Sequence, residues 1–494
     1  MENKKNSVWL SIQFIISLIF SFITLKLNFL QFGEKIFGIW ILMISFWGVS
    51  NIIDLGFGTA IIKYVAVADR NKDQDEINKI ASTGYLFFLL VGFIILTLGI
   101  AVGHLIYFGN ENLIPGSYKA IFWLVFLLLG CSFYLQYITL FFRSLLEGLN
   151  NFVITSKLTL FFNSLILLSV AIVYLNNLNI KTLALFFLIS SFFSFSIYFF
   201  VLKRKYRHIK IKIRYSDFSF AKKMLGFSFN VQIAAIIGAL IDPTIKYIIG
   251  TFSSTSFISY YEVARKFAVA ISGLFNTAFK TLLPRTSILS NNKEYRNYIL
   301  EEGIKFAKFG IIYSGFFYGI SSILIVFIIN LWFGFKESVI IFFLLSLAES
   351  INNVGFVIYT FFIGIGKGIY LIFIQTTNIL LVSICLITGL QIFHTYLGLI
   401  GYFFAVLINN LLMIYLLKRQ TEIKLSHYLV QINAQKLFYL FSSILFVIFF
   451  NYIFRINIYI LVTMLSVLSF IIFKKELKKY FHQFKGLMTD FKSS

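Results

Sequence analysis

Charged residues are scarce in this chain of 494 residues: Asp, Glu, Lys and Arg make up 13% of it, whereas hydrophobic residues make up 59%. A soluble globular domain has about 25% charged residues. The composition therefore excludes a soluble globule and predicts a polytopic membrane protein. The apolar runs have the length of membrane-spanning helices, not of the short alternating segments of a barrel, so we expect an all-α fold.

Cysteine and histidine are scarce as well. Both cysteines, Cys131 and Cys385, lie within apolar runs, where we expect them to pack as small side chains, so no disulfide framework is indicated. The five histidines lack the spacing of a metal site, so the prediction is that there is no metal centre. A phosphate-binding loop is missing too, because GIGKG at 364–368 lacks the hydroxyl residue and the preceding strand. We expect neither cofactor nor enzyme activity.

Fourteen apolar segments are long enough to span a bilayer. They are residues 8–27, 37–62, 82–107, 119–142, 152–175, 181–202, 226–249, 257–283, 306–331, 337–362, 368–390, 396–417, 435–453 and 456–473. The first has no cleavage site after it, so we interpret it as a retained helix.

The formal net charge of +23 comes from Lys and Arg residues whose positions follow the predicted membrane topology. Lys and Arg concentrate in alternate loops and in both termini, whereas the opposite loops hold few, and this alternation fits fourteen spans. Both termini are predicted to be cytoplasmic. The bases form no separate domain, so we expect no nucleic-acid partner.

The longest polar segment divides the first twelve spans into two sets of six, an arrangement typical of transporters with a substrate site between two repeats. The predicted divisions are an N-lobe at 1–202, a basic cytoplasmic linker at 203–223, a C-lobe at 224–417, an accessory helix pair at 418–473 and a basic cytoplasmic tail at 474–494.

The segment FGEKIFGIWILMISFWGVSNIIDLGFGTAIIKYVA carries a Gly-x-Trp motif at Gly38 and Trp40 and a turn at Asp54, Gly56 and Gly58. It resembles the opening of Wzx-type polysaccharide flippases of the multidrug/oligosaccharidyl-lipid/polysaccharide (MOP) exporter superfamily. The YYEVARK and LLPR segments around span eight are also similar to that family's second lobe.

This resemblance implies two lobes of the kind found in multidrug and toxin extrusion (MATE) transporters. It implies movement of undecaprenyl-diphosphate-linked oligosaccharide, such as an O-antigen repeat unit, from the cytoplasmic to the outer leaflet of a bacterial inner membrane. Membrane lipids are expected partners, and the polymerase and chain-length proteins of the same pathway are candidate partners.

Asp242 and Lys246 lie four residues apart in span seven, on one helix face, on either side of Pro243. Two interpretations stay open. Because proline has no N–H, Pro243 weakens the helix at membrane depth, which is typical of a cavity-lining segment that bends during transport. Alternatively, Asp242 caps a helix that restarts at Pro243, or simply neutralises Lys246.

In span eight, Glu262 faces both Arg265 and Lys266, which leaves one positive charge over. Such a surplus suits an anionic diphosphate, because Arg offers a planar fork and Lys a compact charge. The alternative is a cluster at the membrane interface. We predict that Arg265, Lys266 and Lys246 bind the substrate, with Arg143, at the end of span four, as a further candidate.

Ionisable groups within spans are candidates for gating or for coupling to a proton or sodium gradient. Asp242 and Glu349 are the candidates for titration, and Glu262, Pro243 and Asp54 complete the gating set. Asp54 is also explained by a structural turn.

Two rival functions remain. A multidrug or cation antiporter of the same superfamily requires an anionic cavity, whereas the surplus here is cationic. A membrane-embedded polymerase or glycosyltransferase requires a large outer loop or a soluble catalytic domain, whereas the outer loops of this chain are short.

Overall fold

The structure is a computed structural model. It describes residues 2–48, 57–109, 114, 116–217, 222, 229–279, 304–320, 322–334, 336–364, 367–421, 434–454, 457 and 459–474. The regular elements of these residues are helical, which confirms the all-α prediction.

The helices, in chain order, are α1 Glu2–Gly48, α2 Phe57–Arg70, α3 Gln74–Gly109, α4 Gly116–Gly148, α5 Phe152–Leu175, α6 Ile180–Lys205, α7 Phe229–Phe252, α8 Thr255–Phe279, α9 Ile304–Ser314, α10 Ser322–Phe333, α11 Lys336–Gly364, α12 Gly368–Phe393, α13 Ile400–Thr421, α14 Ala434–Phe454 and α15 Tyr459–Lys474. A π-helical turn, Gly315–Ile320, lies between α9 and α10, which are bent by 47°. Among the described residues, nine helices meet the length and hydropathy of a membrane span, and α9 with α10 forms a tenth as a bent pair.

Helix α1 carries the first predicted span and the beginning of the second. Its 47 residues, at about 1.5 Å each, are more than twice as long as the apolar core of a bilayer. Gly33, with φ of 65° and ψ of 178°, interrupts the helical backbone between the two halves. Glycine adopts this conformation without steric cost, so it allows two spans to follow each other without a loop. The second predicted span then passes through residues outside the described ranges and ends in α2.

The chain divides into two compact units, residues 1–259 and 260–494. The boundary falls within α8. The predicted lobes at 1–202 and 224–417 stay a prediction, because this division does not test them.

The core of unit 1 is built on α2, α3, α4 and α6. Phe57, Phe88, Tyr137 and Phe141 are almost fully buried, and Phe88 lies 5.0 Å from Tyr137 between ring centroids. Helices α1 and α5 pack along each other beside this core.

Cys131 is exposed on α4, so the prediction that it packs is wrong. A cysteine on the outer face of an apolar helix has the same sequence context as a buried one.

The Gly-x-Trp motif has a packing role in unit 1. A Cβ atom at Gly38 would lie 1.9 Å from the backbone oxygen of Thr255, so only glycine permits this approach of α1 to the start of α8. Ser259 Oγ donates a hydrogen bond to the backbone oxygen of Glu34 in the same contact. Trp40 is fully buried and meets Phe187 edge to face at 5.3 Å.

Residues 206–217, here called the strap, follow α6 and are hydrogen-bonded to the polar face of α3. Asn78 Oδ1 accepts from the N–H of Lys210 at 2.7 Å, and Ser82 Oγ accepts from the N–H of Lys212 at 3.1 Å. Thr83 Oγ1 accepts from the N–H of Asp217 at 3.1 Å. The middle of the predicted linker is therefore held against α3.

The first residue of the strap, Tyr206, is tied to the α4–α5 turn. Its hydroxyl accepts a hydrogen bond from Asn151. Burial raises the pKa of this hydroxyl.

The close contact at Gly38 predicts that Gly38→Ala destabilises the protein. The added methyl group overlaps the backbone of Thr255, and overpacking of this kind costs about 1–3 kcal/mol. We expect a lower midpoint of thermal unfolding in detergent, measured by intrinsic fluorescence.

The matched control is Gly273→Ala, also within a helix, because a Cβ atom there meets nothing within 4 Å. It should leave the midpoint unchanged or slightly higher. Equal midpoints for the two variants would contradict the packing role of Gly38.

Candidate functional site

The predicted site residues that the structure describes lie on α4, α7, α8 and α11. Arg143, Asp242, Pro243 and Lys246 belong to unit 1, whereas Glu262, Arg265, Lys266 and Glu349 belong to unit 2. Asp54 lies outside the described residues.

Asp242 and Lys246 form an ion pair within α7. Lys246 Nζ lies 2.8 Å from Asp242 Oδ2, and the lysine side chain is only 3% exposed. Helix α7 continues through Pro243 without interruption, so Asp242 is inside the helix and does not cap a restarted one. The missing N–H of Pro243 still leaves the carbonyl of Ala239 without its helical partner, and the next hydroxyl, Thr244 Oγ1, donates to the carbonyl of Leu240 at 2.7 Å.

Arg143 forms its ion pair with Glu147 one turn later on α4, at 2.7 Å. The pair acts electrostatically on Tyr198 of α6, whose hydroxyl donates to the carbonyl of Thr155 on α5 at 3.2 Å. The charge of Arg143 is therefore offset within α4.

In unit 2, Glu262 and Arg265 lie 3.8 Å apart on α8. The Glu262 side chain is 9% exposed and that of Arg265 27% exposed. Lys266, the next residue, is half-buried. The Glu262–Arg265 contact agrees with the predicted spacing, since residues three apart share a helix face, whereas the contact of Glu262 with Lys266 stays a prediction.

Glu349 on α11 reaches the same region of α8. Ser272 Oγ lies 2.9 Å from Glu349 Oε2 and 2.9 Å from Tyr318 Oη in the π-helical turn. The charge of Arg265 also acts on Glu349. Two residues predicted for different roles, Arg265 and Glu349, are thus parts of one polar cluster.

This cluster, defined here as Glu262, Arg265, Ser272, Tyr318 and Glu349, includes two residues that the sequence did not indicate. Ser272 lies two helical turns after Arg265 on α8, so its spacing was a usable signal. Tyr318 stands in the run GFFYGI and is one of 27 tyrosines, and nothing in its sequence context separates it from the others.

A neighbouring contact extends the polar region. Asn353 Nδ2 donates to Ser314 Oγ at 3.2 Å, and both residues are fully buried. Asn410 of α13 donates to Asn352 Oδ1 at 3.5 Å. Polar side chains in an apolar bundle hold helices together in this way.

The Asp242–Lys246 pair predicts a large loss of stability on single substitution. Lys246→Met leaves the carboxylate in place without its ammonium partner. Breaking a fully buried pair costs about 3–5 kcal/mol, and the cost here is smaller because the Asp242 side chain is 23% exposed. We expect a clearly lower unfolding midpoint in detergent for Lys246→Met.

The double variant Asp242→Leu, Lys246→Met removes both charges and should recover most of that stability. A double variant as unstable as the single one would contradict the pairing.

The sequence model of a family described as "Polysaccharide biosynthesis protein" matches residues 4–290, more than half of the chain. No curated protein matches the chain by sequence.

Several solved structures share its fold. An inward-facing multidrug resistance MATE family transporter of the MOP superfamily has 14% sequence identity and a TM-score of 0.65, over 86% of this chain and 98% of that one. The lipid II flippase MurJ, in an inward closed conformation, has 16% identity and a TM-score of 0.62, over 96% and 99%.

A MOP superfamily transporter from Pyrococcus furiosus, described as having a binding pocket of reverse polarity, has 15% identity and a TM-score of 0.56, over 83% of this chain and 93% of that one. These identities establish the fold alone. Because the family model covers most of the first unit and the fold extends over nearly the whole chain, the chain belongs to the polysaccharide biosynthesis protein family and has the MOP superfamily fold that its sequence implied.

Proposed function

We propose that this protein is a flippase that moves undecaprenyl-diphosphate-linked oligosaccharide from the cytoplasmic to the outer leaflet of the bacterial inner membrane, with both termini in the cytoplasm. The observation that carries the proposal is the pair of cations Arg265 and Lys266, placed within an apolar helix beside the carboxylate of Glu262. Family membership and a fold shared with a lipid II flippase support it.

The chemistry of the two cations suits a diphosphate. A guanidinium group donates two parallel hydrogen bonds to phosphate oxygens, and an ammonium group adds a compact charge. The sugar then lies inside the protein while the polyprenyl tail stays in lipid. Substrate passage requires alternating access, and we assign the bending of α7 to Pro243, where one helical hydrogen bond is missing.

Glu349 sets the charge of this binding region. With Glu349 ionised, the two carboxylates are Glu262 and Glu349. They cancel the two cations Arg265 and Lys266, and no positive charge is left over for an anion. With Glu349 protonated, Glu262 opposes both Arg265 and Lys266, and one positive charge remains. The affinity for an anionic head group therefore depends on the protonation of Glu349.

A count of protons along the cluster supports the protonated form. Three contacts link Glu349 to Ser272, Ser272 to Tyr318, and Tyr318 Oη to the carbonyl of Ala268, at 2.9 Å each. The two hydroxyl groups supply two protons, and a carbonyl supplies none. A proton on Glu349 completes the third hydrogen bond, whereas an ionised Glu349 leaves one contact without a proton.

We therefore propose that Glu349 is the proton-binding residue that couples head-group binding to pH. Ser272 and Arg265 face it from α8, Tyr318 from the π-helical turn, and Asn352 from its own helix. Asp242 is the less suitable candidate, because Lys246 offsets its charge directly.

The two rival functions differ in what they require of these residues. A multidrug exporter of cations needs a surplus of negative charge, whereas the carboxylates of Glu262 and Glu349 are matched in number by the cations Arg265 and Lys266. A polymerase or glycosyltransferase needs catalytic side chains, whereas the solved structures with this fold are described as transporters and a flippase.

The flippase proposal predicts that Arg265→Ala with Lys266→Ala slows translocation at least tenfold, because both phosphate ligands are lost. Proteoliposomes containing lipid-linked oligosaccharide would be treated with an impermeant glycosidase, and the rate at which sugar becomes accessible would be measured.

The control is Lys418→Gln with Arg419→Gln, which removes two exposed cations at the end of α13. A double Arg265, Lys266 variant with an unchanged rate would contradict the cationic site. A wild-type protein that moves no lipid-linked sugar would contradict the flippase assignment itself.

The coupling proposal predicts that wild-type protein binds farnesyl diphosphate more tightly at the lower of two pH values that bracket the protonation of Glu349, because this protonation adds one net positive charge. Glu349→Gln imitates the protonated carboxyl and should bind tightly at both pH values, as measured by calorimetry in detergent.

The diphosphate itself gains a proton in this range, which works in the opposite direction and acts on both proteins alike. The difference between the pH profiles of wild type and Glu349→Gln therefore measures the contribution of the Glu349 carboxyl group. Parallel pH profiles for the two proteins would rule out Glu349 as the coupling residue.

A further inference from the structure

Unit 1 contains a cavity of about 450 Å³ between the end of α6, the strap, α3 and α4. Its walls are aromatic and aliphatic, and its rim is basic. The wall residues are Tyr85, Phe142, Phe199, Leu202, Ile209 and Ile211.

Four cations surround the opening: Lys203, Arg207, Lys210 and Lys212, all of them exposed. Within the described part of the chain, the residues that line this cavity include no acidic side chain. The nearest carboxylate on the strap, Asp217, lies 2.5 Å from Lys79 of α3 and is neutralised there. The four cations therefore create a positive potential at the opening. A bound anion stabilises them because it offsets their mutual repulsion.

The strap holds the rim in a fixed geometry. Because Asn78 and Ser82 bind the backbone of Lys210 and Lys212, the side chains of these lysines do not set the fold of the strap. The alternating residues Ile209 and Ile211 pack against the core of unit 1. The extended strap therefore presents apolar side chains to the core and basic ones to the rim.

We propose that this cavity binds the phosphate head group of an anionic lipid of the inner leaflet. The rim cations bind the phosphate oxygens, and the aromatic wall contacts the glycerol or the first part of the hydrocarbon chain. Basic pockets between membrane helices on the cytoplasmic side have this chemistry. The site is separate from Arg265 and Lys266, and the proposal does not depend on the flippase function.

Native mass spectrometry of the detergent-solubilised full chain tests the proposal. Wild-type protein is titrated with phosphatidylglycerol, with phosphatidylcholine of the same chains and with undecaprenyl diphosphate. We expect at least tenfold tighter binding of one of the two anionic lipids than of phosphatidylcholine, and the tighter of the two identifies the source of the phosphate.

The variant Arg207→Gln, Lys210→Gln, Lys212→Gln should lose that preference, whereas its backbone hydrogen bonds to α3 are retained. The control Lys367→Gln, Lys418→Gln, Arg419→Gln removes three exposed cations from unit 2 and should keep it. Unfolding midpoints of both variants establish that they are folded.

Equal binding of anionic and neutral lipids by the wild type would overturn the proposal without any variant. Equal loss in the variant and the control would also overturn it, because the effect would then follow from net charge alone. Full retention of the preference in the Arg207, Lys210, Lys212 variant would overturn it too, because the rim cations would then not bind the phosphate.

Discussion

An ionised side chain in an apolar helix bundle is stable only where a second group offsets its charge, and this constraint governs the interior of the protein. Lys246 and Asp242 satisfy it within one helix, as do Arg143 with Glu147 and Arg265 with Glu262. All three pairs use the spacing of a single helical turn. A pair formed along one helix needs no tertiary contact, so the charges are already neutralised when the helix enters the membrane.

Pairing along one helix is also the reason that these groups were predictable from the sequence. The spans followed from hydropathy and the pairs from residues three and four apart. The polar cluster was predictable only in part, because Glu349 meets Ser272 across two helices and 77 positions of sequence. Such a contact depends on helix packing, which apolar composition leaves open, and Tyr318 carried no signal at all. The continuity of α7 through Pro243 was not decided by sequence either, because proline inside a helix and proline at its start have the same sequence context.

The predicted linker is a second case in which the sequence did not reveal a tertiary contact. Its basic composition indicated a cytoplasmic connection, but polar composition does not distinguish a solvated loop from a segment bound to a helix. The distinction is made by Asn78, Ser82 and Thr83, small polar residues on one face of α3, which accept hydrogen bonds from the backbone of the strap. Those residues look ordinary in the sequence because their partners lie more than a hundred positions away.

That separation has a consequence for how the chain is made. Lys210 and Asn78 are 132 positions apart, and at about 5–20 residues per second the ribosome needs roughly 7 to 26 seconds to supply the second partner after the first. During that interval the polar face of α3 lacks the strap residues that bind to it. Synthesis of the strap then covers this face, before any helix of the second unit has been made. The strap therefore marks the point in synthesis at which the start of α3 and the end of α6 can be joined to each other.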